Sequence, residues 1–442
     1  MIRGYFKTSL MFVKKCPSFT FVKPCLIGIC FFLFNFHAFF NPIESSEGNS
    51  TVPCTQRILN FDTAVCRALN QSLALNIADY EIQARKGERK QAHLYPNPEF
   101  SYDLENPGDE GSGKDWNSRE EIYALSQFVE LGGKRQQRIK AASYQYYAAL
   151  TGYKAAKLDL LNRLSNAFIR VAATQELVKL AVDQQSIAQE VLRITHAKVA
   201  AGKLSLIQQN KAEVAKSLAE LNSKKTWAEF KTAKNCLALL WGCPYPDFDF
   251  VDYPFYDISA PLPLEVCLSE LCNQPEVIQS LYEYSAAYYN LRLEQSARIP
   301  DVTLTLGYKY EAGEKGLVAG LAFPLPVWNH NQGNIKRAYY DMLKTDEQGK
   351  QLWLFLEAKL SNSYLELIRT YQEAQDLKNV ILNSAAQAFE LAQIGYQEGK
   401  FEYLDVLDAQ RTLFEVRERY IQALVNYHNR RADIEYLNSR TN

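Results

Sequence analysis

The stretch VTLTLGYKY, residues 302 to 310, sets Val302, Leu304, Leu306, Tyr308 and Tyr310 in alternation with Thr303, Thr305, Gly307 and Lys309. A period of two puts neighbouring side chains on opposite faces of a strand. The turn-rich EAGEKG follows, then a second apolar run, GLVAGLAFPLPV, ending at Val327. Strand, turn and return strand read as a hairpin. A companion begins at Pro98: PEFSYDLEN alternates Phe100, Tyr102 and Leu104 with Ser101, Asp103 and Glu105, and PGDEGSGKDWNS and EEIYALSQFVEL complete it.

A single hairpin of this kind would pack on a helix as a soluble ribbon. Two of them, with strands of about nine to eleven residues and one apolar face each, fit the wall of a transmembrane barrel. Phe100, Tyr102, Leu104, Leu304, Leu306 and Tyr308 are then expected to face lipid, and Ser101, Asp103, Glu105, Thr303, Thr305 and Lys309 the lumen. Four strands in lipid leave two open edges, and each unpaired backbone group there costs several kcal/mol. Closed barrels need at least about eight strands. The sequence therefore predicts a barrel shared among several chains.

On either side of the hairpins the chain is free of the residue that breaks helices. No proline occurs from residue 108 to 243 or after Pro326, while Pro244, Pro246, Pro254, Pro261 and Pro263 crowd a short linker. Leu360, Tyr364, Leu367, Tyr371, Ala374, Leu377, Ile381, Ala385, Ala388 and Ala392 recur at steps of three or four, a coiled-coil stripe. The spacing predicts one helix from Asn334 to Glu398 and another from Lys134 to about Ala200, each roughly 100 Å long at 1.5 Å per residue.

The two tracts are in register. RIKAA at Arg138 lies on NIKRA at Asn334, GK at Gly202 on GK at Gly399, and Pro98 on Pro300. A spacing that drifts by only a few residues over the whole chain marks an internal duplication. The expected organisation is a head at 1–40, an N-terminal extension at 41–57, a first helix-hairpin-helix repeat at 58–242, a proline-rich linker at 243–263 and a second repeat at 264–438. The fold class is mainly α with a small β part.

After the second GK turn, GKFEYLDVLDAQRTLFEV (399–416) places Asp405 and Asp408 three apart on one helical face. The first copy has Gln208 at the matching polar position. Taken alone, two aspartates at a helix start favour the positive end of the helix dipole and need no further role.

Composition narrows the class. A chain of 442 residues, 47% hydrophobic and 22% charged, is globular or membrane-associated in balance. Its formal charge of −1 includes five basic and no acidic residues in the first 40, so the remainder is mildly acidic. Without basic clusters there is no footprint for nucleic acid. The basic stretch, the apolar CLIGICFFLFNFHAFF (25–40) and the polar ESSEGNS read as an export signal. Six cysteines remain beyond it, Cys54, Cys66, Cys236, Cys243, Cys267 and Cys272, a number that permits disulfides or buried thiols. Pro53 precedes Cys54, so no lipid-anchor pattern is present.

Catalytic signatures are missing. There is no phosphate-binding loop, dinucleotide fingerprint, HExxH or GxSxG, and the five histidines, His330 in PVWNHNQGN among them, are scattered. No cofactor or metal site is expected.

PNPEFSYDLEN, LSQFVELGGKRQQRI, GLVAGLAFPLPVWNHNQGNIKRA and GKFEYLDVLDAQRTLFEVRERYIQALVNYHNRRADIEYL together resemble the TolC-like outer-membrane efflux proteins, nearest to their heavy-metal (cobalt-zinc-cadmium) branch. The resemblance spans roughly residues 58 to 438. It implies a homotrimer whose chains give four strands each to a twelve-stranded outer-membrane barrel, continued by an α-helical barrel through the periplasm. The linker becomes an equatorial belt. Gly202, Lys203, Gly399 and Lys400 become the far periplasmic tip where an adaptor docks, and Tyr396, Asp405 and Asp408 a gate, with Gln208 replacing an acid and Phe401 an arginine of the family pattern. The implied role is a passive exit duct joined through a periplasmic adaptor to a resistance-nodulation-division transporter of the inner membrane. The same fold serves drug efflux and type I secretion. A periplasmic coiled-coil scaffold without a barrel is the reading from another class.

Overall fold

The computed structural model describes residues 58–105, 119–311 and 313–438. The export signal, the 41–57 extension and Cys54 lie outside the described residues. Cys66, Cys236, Cys243 and Cys267 are free thiols, whereas Cys272 is disulfide-bonded.

A short strand β1 (Ile58–Asn60) leads into α1 (Phe61–Gln71), which Asn60 caps by accepting the Thr63 N–H at 2.9 Å. Then come α2 (Leu73–His93), β2 (Glu99–Glu105), β3 (Glu120–Val129) and α3 (Lys134–Ala200). After α4 (Leu206–Leu239) the linker contributes β4 (Phe250–Asp252), parallel to β1. The second half runs α5 (Leu264–Glu270), α6 (Pro275–Ser296), β5 (Val302–Glu311), β6 (Glu314–Ala322), α7 (Gln332–Asp376), α8 (Leu382–Gln397) and α9 (Tyr403–Leu437).

The hairpins join into one antiparallel sheet of order β2-β3-β5-β6. The helices leaving its lower end follow the same lateral order: α2 packs on α3, α3 on α6 and α6 on α7. Below them α3 lies along α4 and α9, while α9 also packs on α7 and α8. With 67 residues, α3 is about 100 Å long.

Both junctions from sheet to long helix use a left-handed residue, Gly133 at φ 75° and Asn331 at φ 60°. Asparagine tolerates that conformation because its amide finds local partners: Asn331 Nδ2 donates to the Glu294 carbonyl at 2.9 Å and its carboxylate at 2.6 Å.

The predicted second long helix is interrupted. Leu377–Ile381 form a π-turn between α7 and α8, with the Leu382 N–H reaching back to the Leu377 carbonyl. The wider turn carries an extra residue and rotates the packed face. Ile381 and Ala388, expected in the stripe, are exposed, and Leu382 and Phe389 pack in their place beside Ala385, Ala392 and Tyr396.

The largest core lies midway along the bundle. Phe168, Ile169 and Leu164 of α3, Phe230 and Leu237 of α4, Leu424 of α9 and Ala64 and Ala68 of α1 enclose Phe248, Val251 and Phe255 of the linker. The proline-rich segment is thus anchored by its apolar residues.

Candidate functional site

The sheet register separates the expected lipid and lumen residues cleanly. Phe100 pairs with Leu125 and that with Leu306 and Ala319; Tyr102 pairs with Tyr123, Tyr308 and Leu317; Leu304 lies between Gln127 and Leu321. Leu104 continues the same face. These side chains stand exposed, Leu306 at 65% and Phe100 at 68%. Leaving a leucine or phenylalanine in water instead of burying it forgoes about 1.5–3 kcal/mol.

The opposite face carries the polar set, interleaved with Ile122, Ala124 and Phe128. Ser101, Asp103, Glu105, Thr303, Thr305 and Lys309 all lie on it, and Ser126 and Thr305 share a hydroxyl hydrogen bond of 2.8 Å. Register adds what no single strand reveals: Glu105, Glu120, Glu311 and Glu314 fall opposite one another in one row across all four strands. Like charges directly opposed repel. The Lys309 ammonium relieves the row by bridging Glu120 at 2.7 Å and Glu311 at 2.8 Å.

At the far end of the helices both tip turns close in the same way. The Lys203 N–H donates to the Lys198 carbonyl (2.8 Å) and the Gly202 N–H to that of Val199 (2.9 Å); Lys400 and Gly399 donate to Gly395 (2.8 Å) and Tyr396 (3.2 Å). Gly202 and Gly399 take φ of 70° and 78°, the left-handed residue such helix ends require. A small core joins the four helix ends, with Val191, Ala212, Phe389, Tyr396, Tyr403, Val406 and Leu413 buried.

The predicted gate residues are placed unequally. Asp405 is the third residue of α9 and its carboxylate accepts the Glu402 N–H at 2.9 Å, completing a capping box with the Glu402 side chain. Gln208 holds the equivalent third position of α4, where its N–H donates to the Ser205 carbonyl and its Oε1 is buried without a partner. Asp408 is exposed and makes no hydrogen bond or ion pair among the described residues. Tyr396 is buried at 3% exposure. Thr195 Oγ1 donates to the Val191 carbonyl, so the Tyr396 hydroxyl, 3.3 Å away, donates to Thr195.

Several participants escaped the sequence reading. Lys198 Nζ donates to the Tyr396 carbonyl at 2.5 Å and stands 3.7 Å from its ring centroid. The Tyr403 ring lies 6.1 Å from that of Tyr396, its hydroxyl has no partner, and burial pushes its pKa up to about 12. Phe401, which the sequence marked as standing where the family pattern has an arginine, covers Gly395 so closely that a Cβ there has no room. Lys198 and Tyr403 belong to no motif.

His330 is exposed and remote from the tip, its N–H held by Gln332 Oε1 at 2.8 Å. Among the described residues no group of three or more His, Cys, Asp or Glu is arranged to hold a metal ion. No described helix is long and apolar enough to cross a membrane, a statement that does not touch the sheet.

The proline-rich linker packs on the one buried histidine of the described residues, His428 of α9. His428 Nε2 donates to the Phe255 carbonyl (2.9 Å), which leaves Nδ1 to accept from the Tyr253 hydroxyl (3.2 Å). Burial lowers its pKa from the ordinary 6.5, with Arg431 adding to the effect and the Phe255 bond and Asp257 opposing it. A histidine with a lowered folded pKa stabilises fully above its unfolded pKa and loses that contribution as pH falls. Thermal stability should therefore drop as pH goes below 6.5 toward the folded value, by at most about 1.4 kcal/mol per unit. His428→Gln should flatten that part of the profile, and identical profiles for both proteins would refute the assignment.

The outer membrane efflux protein profile matches residues 64–243 and 268–437. The cobalt-zinc-cadmium resistance protein CzcC of Cupriavidus metallidurans is 34% identical over 388 residues, covering 86% of this chain and 91% of CzcC. The cation efflux system protein CusC of Escherichia coli is 22% identical over 402 residues, 83% and 82% of the two chains. Among solved structures, the outer membrane protein VceC of Vibrio cholerae shares the fold with a TM-score of 0.71 at 16% identity, over 86% of this chain and 95% of VceC.

Proposed function

Because this chain belongs to the outer membrane efflux protein family, we propose that three copies close a twelve-stranded barrel and stack their helices into a duct beneath it. The protein is the outer-membrane exit duct of a tripartite efflux system, reaching into the periplasm. The observation that carries the assembly is the two-faced sheet whose outer strands, β2 and β6, have no further pairing partner among the described residues. These edges run in opposite directions, so β6 of one copy can pair antiparallel with β2 of the next. Pairing satisfies every backbone group, and lipid takes the apolar face.

The two family matches, one in each half, support descent by internal duplication. The tip turns Gly202–Lys203 and Gly399–Lys400 are the docking points for a periplasmic adaptor, which links the duct to a resistance-nodulation-division transporter. The duct performs no chemistry and needs no cofactor. Similarity to CzcC favours divalent metal cations as cargo over drugs or secreted protein, and the glutamate row on the lumen face suits cations. A coiled-coil scaffold would leave the apolar sheet face uncovered.

Asp408 is the exposed carboxylate of the mouth, with the Arg411 guanidinium as its charged neighbour; Asp405 is excluded from the test because its removal also takes away a helix cap. In planar bilayers, Asp408→Asn should form the same trimeric channels while losing cation selectivity and block by multivalent cations applied from the periplasmic side. Unchanged selectivity and block would return Asp408 to an ordinary helix-start residue. Release of the wild-type protein from membranes by salt without detergent would favour the scaffold instead.

A further inference from the structure

Within the four strands, the face that carries the polar set has a single basic residue, Lys309. It is set against Glu105, Glu120, Glu311 and Glu314 in the neighbouring row and Asp103 in its own. Its direct cross-strand neighbours, Ile122 and Gly316, offer the ammonium no partner, and a Cβ on Gly316 would meet open space. The side chain leans one row toward the hairpin turn instead. There it lies between Glu120 of β3 and Glu311 of its own strand, 2.7 Å from one carboxylate and 2.8 Å from the other.

The side chains of Lys309, Glu120 and Glu311 are 31%, 16% and 55% exposed, and ion pairs so open to solvent contribute little to folding. What they set is the local field. A divalent cation held by carboxylate oxygens stands about 2.0–2.6 Å from them, so the Lys309 ammonium fills nearly the place that such an ion would take. A pore must bind its cargo weakly enough to release it. Opposed carboxylates without a cation of their own would retain a divalent ion.

We propose that Lys309 is a specificity-determining residue of the exit mouth: a built-in counter-ion that occupies the gap between Glu120 and Glu311, so that divalent cations pass the glutamate row without being held. The proposal rests on the duct reading given above, which puts this face in the lumen and the hairpin turns at the outer mouth.

The test is single-channel recording of the full-length protein in planar bilayers, with zinc chloride added on the barrel side, opposite the Asp408 mouth. Wild type is compared with Lys309→Met, Lys309→Gln and Lys309→Arg. Half-block of Lys309→Met is expected at a zinc concentration about tenfold below that of wild type, the repulsion that one ammonium exerts on a divalent ion about 6 Å away at the dielectric of water. Lys309→Gln should follow Lys309→Met, and Lys309→Arg should stay with wild type. Adding Glu120→Gln to Lys309→Met should remove the extra sensitivity, whereas adding Asp103→Asn, the same charge change away from the gap, should leave it. Equal recovery by both would reduce Lys309 to a general contribution to lumen charge and overturn the assignment to the gap. Half-block at one zinc concentration in wild type and both neutral variants overturns the proposal outright. If Lys309→Met does not insert, Lys309→Gln decides, and failure of both to insert overturns it too, since Lys309 would then serve assembly. If the wild-type protein forms no channels, the duct reading fails, a result distinct from channels that form and ignore the substitutions.

Discussion

Leu306→Arg should abolish most membrane insertion, whereas Thr303→Arg should leave insertion intact and change conductance. Leu306 sits at the middle of β5, 65% exposed, between Leu125 and Ala319 on the apolar face. An arginine facing lipid near the midplane costs about 2–4 kcal/mol, and less toward the interfaces, so Leu304→Arg should be milder. Three copies would carry the cost three times. Thr303 lies on the opposite face between Phe128 and Ala322, which the proposed barrel turns to its lumen, so an added cation there would meet water. Detergent-extractable trimer in outer-membrane fractions measures insertion. Equal losses for Leu306→Arg and Thr303→Arg would remove the barrel assignment.

Phe168→Ala should lower stability by about 3–5 kcal/mol, the usual cost of emptying a large buried aromatic site. The ring is fully buried and meets Phe61 edge-on at 5.4 Å and Tyr253 at 5.9 Å, so it ties α1 and the linker to α3. Thermal denaturation of the detergent-solubilised protein reads the effect, and a loss below about 1 kcal/mol would mean that the core around the linker is not organised by this residue.

What was legible in the chain, and what was not, divides by the range of the interactions. The strand alternation at 302–310 and the proline-free tract from Lys134 were readable because pleat and helix periods are local, and the observed α3 runs from Lys134 to Ala200 as expected. The stripe beyond Leu377 was misread at Ile381 and Ala388. The π-turn that moves Leu382 and Phe389 into the core is selected by packing against α9, and no periodicity announces it.

The candidate site divides the same way. The sequence alone determined that Asp405 begins a helix after a glycine turn, that the chain carries two hairpins with opposed apolar and polar faces, and that two long helices follow them. These depend on residues a few positions apart, whose geometry the backbone fixes. Only the tertiary structure decided that Asp405 is taken up in a capping box, that four glutamates align in one row bridged by Lys309, and that Lys198 serves a helix almost two hundred residues away. Each of these needs strand register or helix pairing, set by the summed burial of many side chains, before a single polar contact can form.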